Sequence, residues 1–115
     1  MRLYWGPILA GAVAGFVIGS VLGLVISGLV PDGAGRQVLL VLLSFFIELG
    51  AGFLAGRFSP DSQALNGSQS ALLLYLVASV IALTSGANLF VLIIGAALAL
   101  AIGTMGGILA MADEE

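Results

Sequence analysis

The chain contains no cysteine, no histidine and no lysine. Without cysteine there is no disulfide framework and no thiol chemistry. Without histidine there is neither an imidazole base nor a histidine-based metal site. Without lysine no phosphate loop can carry its usual cation. Charge is scarce as well: 8% of the 115 residues are charged, where about 25% is usual for a soluble domain. The only cations are Arg2, Arg36 and Arg57, so there is no basic patch and no nucleic-acid partner is expected. The net charge of −3 comes largely from the tail Asp113-Glu114-Glu115, which reads as a solvated end. No cofactor, no metal and no enzymatic activity are expected, because no nucleophile–base pair or ligand cluster can be assembled from these residues.

What is abundant is apolar. Hydrophobic residues make up 61% of the chain and the mean hydropathy is +1.25. Three stretches are long and nearly free of charge: Leu3–Val30, Val38–Gly56 and Ala71–Ala112. A membrane-spanning helix needs about 20 apolar residues, and the last stretch is long enough for two. Thr84-Ser85-Gly86-Ala87-Asn88 supplies a turn between them. The expected fold is a single all-α domain, residues 1–115, an integral membrane four-helix bundle with Gly-rich packing faces. Its helices are expected at 6–30, 37–57, 70–86 and 88–112. The first apolar run exceeds the about 7–15 residues of a signal-peptide core, so it reads as a retained helix.

Four crossings put both termini and the middle loop on one side, with Arg2 and Arg57; Arg36 lies on the other. The positive-inside rule then places both termini in the cytoplasm of a cell-membrane protein. Tyr4, Trp5, Phe58 and Tyr75 are expected near that same interface. Pro31-Asp32-Gly33 opens the first turn. Phe58–Gln69 is the only polar stretch of any length and reads as a loop. Its Asn66-Gly67-Ser68 is a formal glycosylation acceptor, read here as a turn in a cytoplasmic loop.

Small residues recur at every fourth position. The first helix carries Gly11, Gly15, Gly19 and Gly23, and the fourth carries Gly95, Ala99, Gly103 and Gly107. The second carries Gly52 and Gly56, and the third Ala78, Ala82 and Gly86. Lipid provides little hydrophobic drive between helices, so close approach of backbones at small residues must hold them together. Such faces serve packing within the bundle or self-association into an oligomer. The first and fourth helices also match one another in part, with Gly11-Ala12 against Gly95-Ala96 and Ile18-Gly19-Ser20 against Ile102-Gly103-Thr104. They would cross the membrane in opposite directions, as inverted repeats do.

Glu48 is the one charged residue inside an apolar stretch. A carboxylate at mid-bilayer costs at least about 2.5–3.5 kcal/mol, and such residues face protein or water. On a helical wheel, Ser44, Glu48, Ala51, Gly52, Ala55 and Gly56 share one face, while Leu39, Leu42, Phe46, Leu49 and Phe53 take the other. Ser20 and Ser79 fall near the level of Glu48, and Thr104 a turn or two nearer the cytoplasmic side. The expectation is a neutral Glu48, hydrogen-bonded to a serine, a threonine or a backbone carbonyl. Three roles compete: a polar clasp between helices, a proton or cation relay, and a binding group for a cationic headgroup, substrate or cofactor.

Gly52-Phe53-Leu54-Ala55-Gly56-Arg57 resembles the end of the second helix in a group of small four-helix bacterial membrane proteins. In that group a glycine opens the third helix, followed at intervals of four by a small residue and an aromatic; here these are Gly67, Ala71 and Tyr75. The connection Ser59–Ser62 departs from the group's Gly-rich or basic one. The resemblance implies the four-helix topology and carries no catalytic residue. The leading expectation for function is an accessory or scaffold protein, associating through its Gly-rich faces with itself or with other subunits of a larger complex. The alternative is a small transporter or channel for protons, cations or small solutes that uses Glu48.

Overall fold

The protein is all-α, a bundle of four helices, each long and apolar enough to cross a membrane. The computed structural model describes residues 2–84, 86 and 88–113. Ser85 and Ala87 of the expected turn, and Glu114 and Glu115 of the tail, lie outside the described residues.

Helix α1 runs Trp5–Leu29. Pro7 falls in its first turn, where a missing N–H is harmless. It ends because Pro31 disfavours a helical Val30, which is extended at φ −109 and ψ 127. Helix α2 runs Ala34–Arg57, three residues ahead of the expected start at 37. The Gly33 carbonyl accepts from the Gln37 N–H at 3.1 Å, so the polar segment Gly35-Arg36-Gln37 joins the helix. Arg36 sits 3.9 Å from Asp32, one turn back.

Helix α3 runs Gln63–Thr84. This corrects the reading of Phe58–Gln69 as a loop, because the helix begins well before residue 70. Asn66, Gly67 and Ser68 are helical and buried. They are not a turn, and no accessible acceptor for a glycan exists there. Their polar atoms are satisfied locally: Ser68 Oγ donates to the Leu65 carbonyl at 2.7 Å, and Asn66 binds the chain ahead of α1. Helix α4 runs Leu89–Asp113. Asn88 caps it, its Oδ1 accepting from the Phe90 N–H at 2.8 Å.

Consecutive helices are antiparallel. Gly11 and Gly15 of α1 lie against Ala51 of α2; Gly52 of α2 lies against Gly103 of α4; Gly67 of α3 lies against Gly103 and Gly107. Helices α2 and α3 form the middle of the bundle, with α1 on one side and α4 on the other. Among the described residues α1 and α4 do not meet. The molecule is 43 Å along its long axis, close to the about 40–45 Å of a bilayer with its headgroups.

Burial is arranged for lipid. Fully or nearly buried side chains are mostly small, such as Ala12, Ala51, Ala55, Ala71, Ser70 and Asn66, while Leu24, Leu29, Phe46, Phe90 and Val91 face outward. Close backbone approach replaces a large-residue core. The α2–α3–α4 seam is the extreme case. A Cβ at Gly67 would lie 2.6 Å from the Gly103 carbonyl oxygen and 2.8 Å from that of Gly52. At Gly106 it would overlap the Leu49 carbonyl, and at Gly107 that of Gln63. Leu49 and Phe53, assigned to the outer face of α2, are therefore half-buried beside this seam.

Helix α1 is fixed chiefly at one end. Asn66, fully buried, accepts from the Tyr4 N–H at 2.7 Å and donates to the Arg2 carbonyl at 2.9 Å. The Arg2 N–H donates to Ser62 Oγ at 3.1 Å, and the Tyr4 hydroxyl to Asp61 at 2.9 Å. One turn into α1, Ser70 Oγ donates to the Ile8 carbonyl at 2.9 Å. Toward the opposite end α1 stands off from its neighbours: nothing approaches within 4 Å of a Cβ placed at Gly23.

Candidate functional site

Where α1 stands off, a cleft of about 410 Å³ opens between α1, α2 and α3. Gly15, Gly19 and Gly23 form its α1 wall. Leu40, Leu43 and Ile47 come from α2, and Leu74, Ala78 and Ile81 from α3. The glycine ladder of α1 therefore divides in two. Gly11 and Gly15 are closed over by Ser70, Ala51, Ala55 and Leu74, whereas Gly19 meets only the Ile47 side chain, at 3.5 Å, and Gly23 meets nothing. Missing Cβ atoms make contact in the first half and space in the second. Phe16, Ser20, Ser44, Ala78 and Ile81 line the cleft and are also exposed on the outer surface, so the opening faces outward, toward the lipid around a spanning bundle.

Glu48 lines this cleft. It is 5% exposed, and its Oε2 is buried without a hydrogen-bond partner. This differs from the expected clasp. Of the hydroxyls placed near its level, Ser20 shares the cleft. Ser79 is buried outside the lining, and its Oγ also lacks a partner. Thr104 turns to the Leu100 carbonyl of its own helix, at 2.7 Å. Ser44, one turn from Glu48, likewise donates to its own helix, at the Val41 carbonyl. In a helix a hydroxyl reaches the carbonyl three or four residues back with little rearrangement, and that local bond competes with any bond across the bundle. Counting residues along a helix cannot give the carbonyl that each hydroxyl chooses.

The nearest cations along α2 are far from the carboxyl. At 1.5 Å per residue, Arg57 is about 13 Å away along the axis and Arg36 about 18 Å. Helix α1 contributes no titratable side chain, and α4 contributes none before Asp113. The other titratable group lining the cleft is Tyr75. Its placement corrects a second expectation. Because α3 begins at Gln63, Tyr75 lies about 18 Å into the helix rather than at the interface. Its hydroxyl reaches α4, at the place a Cβ on Gly95 would occupy. Ser44 was placed on the face of Glu48, but Phe16 and Tyr75 were not singled out as its neighbours. The small-residue faces of α1 and α2 were the available signal, since both point at the same gap.

Several further glycines of α2 and α4 are occupied inside the bundle. Gly52 meets Gly103, Gly56 meets Gly107 and Ala110, and Gly95 meets Tyr75. The segment Gly52–Gly56 that carries the family resemblance lies in this seam together with Gly67 and Ala71. Among the described residues no group of three His, Cys, Asp or Glu side chains is placed to hold a metal ion. No protein-family model matches this chain, no curated protein matches it, and no solved structure matches it.

Proposed function

We propose that this is a small multi-pass membrane protein that binds and passes a proton or a small cationic solute through Glu48 and its cleft. One observation carries the reading. A buried carboxyl with an unpartnered oxygen borders a space open to the lipid. Burying a polar group without a partner is costly, and intramembrane carboxyls that persist without one mark ion or substrate paths. The test is reconstitution into liposomes, with flux followed by an internal pH-sensitive dye under an imposed gradient. Wild type should dissipate the gradient and Glu48→Gln should not. Equal leakage from both would reject the proposal.

The accessory or scaffold role is the second reading. Its support is the open stretch of α1 at Ser20 and Gly23, where small residues leave room for the helix of a partner subunit. The other glycine faces lie inside the bundle, which is why the cleft takes precedence. Purification in mild detergent separates the two: a defined complex, with other subunits or with further copies of the chain, supports the second.

We also propose the cell membrane as location, with both termini cytoplasmic. Arg2 and Arg57 share one end of the bundle and Arg36 holds the other, which by the positive-inside rule favours the two-arginine end.

A further inference from the structure

We infer that the occupant of the cleft is a lipophilic amine: an apolar body of drug-like size carrying one protonated nitrogen with an N–H to donate. The inference rests on the preceding reading of Glu48 as the working group and adds the class of substrate.

The shape comes first. A volume of about 410 Å³ falls within the about 300–1,000 Å³ typical of small-molecule sites. The walls are aliphatic, from Leu40, Leu43, Ile47 and Leu74, and they suit a hydrocarbon body. The entrance on the lipid side selects molecules that already partition into the bilayer. It excludes hydrated inorganic cations, whose shells the aliphatic walls cannot replace.

The chemistry is set by Glu48. Its Oε2 needs a donor, and among the described residues no hydrogen-bond donor meets it. A neutral hydrocarbon would leave that oxygen unsatisfied, and a carboxylate or other donor-free anion would do the same. A quaternary ammonium would supply charge without a hydrogen bond. A protonated primary, secondary or tertiary amine supplies both, and a charge-assisted bond is about twice as strong as a neutral one. Phe16 also lines the space, an aromatic neighbour of the kind that attracts a cation. Loading balances in charge when a carboxyl that holds a proton releases it as the ammonium arrives, and takes one back when the amine leaves. Proton and amine therefore compete for a single oxygen pair. Among the described residues, Tyr75 is the other titratable group that lines the cleft.

The experiment uses the full chain in lipid nanodiscs, with empty nanodiscs as the partition control. Three probes of one shape are compared by equilibrium dialysis: 1-naphthylmethylamine, its N,N,N-trimethyl analogue and 1-naphthylmethanol. Saturable binding of the amine near one per chain, at least tenfold tighter than either analogue, is expected. Glu48→Gln should lose it, while keeping the wild-type helical content by circular dichroism. Gly23→Leu narrows the entrance from a position with open space around it, so it should fold normally and weaken amine binding at least fivefold. Amine uptake equal to that of empty nanodiscs, equal affinity for the alcohol, or undiminished binding by Glu48→Gln would each overturn the inference. If Glu48-dependent proton flux persists while the amine fails to bind, this inference falls and the preceding proposal stands. If neither is seen, both fall.

Discussion

The Asn66 side chain holds the backbone of Tyr4, accepting from its N–H at 2.7 Å, although 62 residues separate the two. The same side chain donates to Arg2 at 2.9 Å and to the Ser62 carbonyl at 2.9 Å. One amide thus ties the segment ahead of α1 to the first turn of α3. Asn66→Leu should destabilise the protein by about 1–3 kcal/mol, because the backbone groups it serves lose their partner in a buried setting. Chemical unfolding in mild detergent, followed by circular dichroism, measures it. A loss below about 0.5 kcal/mol would mean that water replaces the amide without difficulty.

The same end responds to alkali. The Tyr4 phenol is held above its ordinary value of about 10, first by its partial removal from water and then by its hydrogen bond to Asp61 and the charge there. A raised value in the folded state stabilises the protonated form. Its contribution is complete below the unfolded value and is lost as pH rises through the folded one. The Tyr4–Asp61 link should therefore open above pH 10, while Tyr4→Phe, which lacks it at every pH, should show no such step. Hydrogen exchange of the amides of residues 2–8 reads the difference.

Two glycines should respond in opposite directions. Gly67→Ala places a methyl between the carbonyls of Gly52 and Gly103. Overpacking costs about 1–3 kcal/mol and here outweighs the about 1 kcal/mol gained in helix propensity, since both obstacles are backbone. Gly50→Ala meets nothing within 4 Å and should gain up to about 1 kcal/mol. The two variants unfolded side by side in one detergent give the comparison.

Glu48 should show a conflict between stability and activity. Glu48→Met keeps an unbranched side chain of similar length and removes the unpartnered buried oxygen, so the protein should become more stable by about 1 kcal/mol or more. The same change should abolish flux and amine binding. A destabilised Glu48→Met protein would indicate that the carboxyl is structural after all.

The absence of cysteine makes topology easy to measure. A single cysteine replacing Asp61 should be labelled by an impermeant maleimide only from the cytoplasmic side of cells or vesicles. One replacing Asp32 should be labelled only from outside. The reverse pattern would invert the proposed orientation.

The spans were legible because an apolar run of sufficient length has a single stable solution in lipid. The start of α3 was not. Gln63 to Ser70 is polar in composition, and hydropathy reads polar residues as water-facing. Here they are small and bonded at short range, so a helix buries them against Gly103, Gly107 and the segment ahead of α1. Glu48 was visible as an anomaly of composition, and its helical face followed from periodicity. The cleft beside it could not be read from periodicity, because one and the same ladder of glycines packs at Gly11 and gapes at Gly23. Which of the two occurs is decided by where α2 and α3 place their side chains.

The separation of α1 from α4 has a consequence for how the chain is made. Helix α1 is synthesised before the other three, yet its contacts belong to residues that emerge much later: Ala51, Ala55, Asn66, Ser70 and Leu74. Until then it must hold its place in the bilayer without these partners. It can do so at little cost, because it carries no charge and its backbone is already bonded within the helix. Helix α4 docks on α2 and α3 without touching α1. Helix α1 therefore need not be in place for α4 to settle, and the two can dock on the α2–α3 pair in either order.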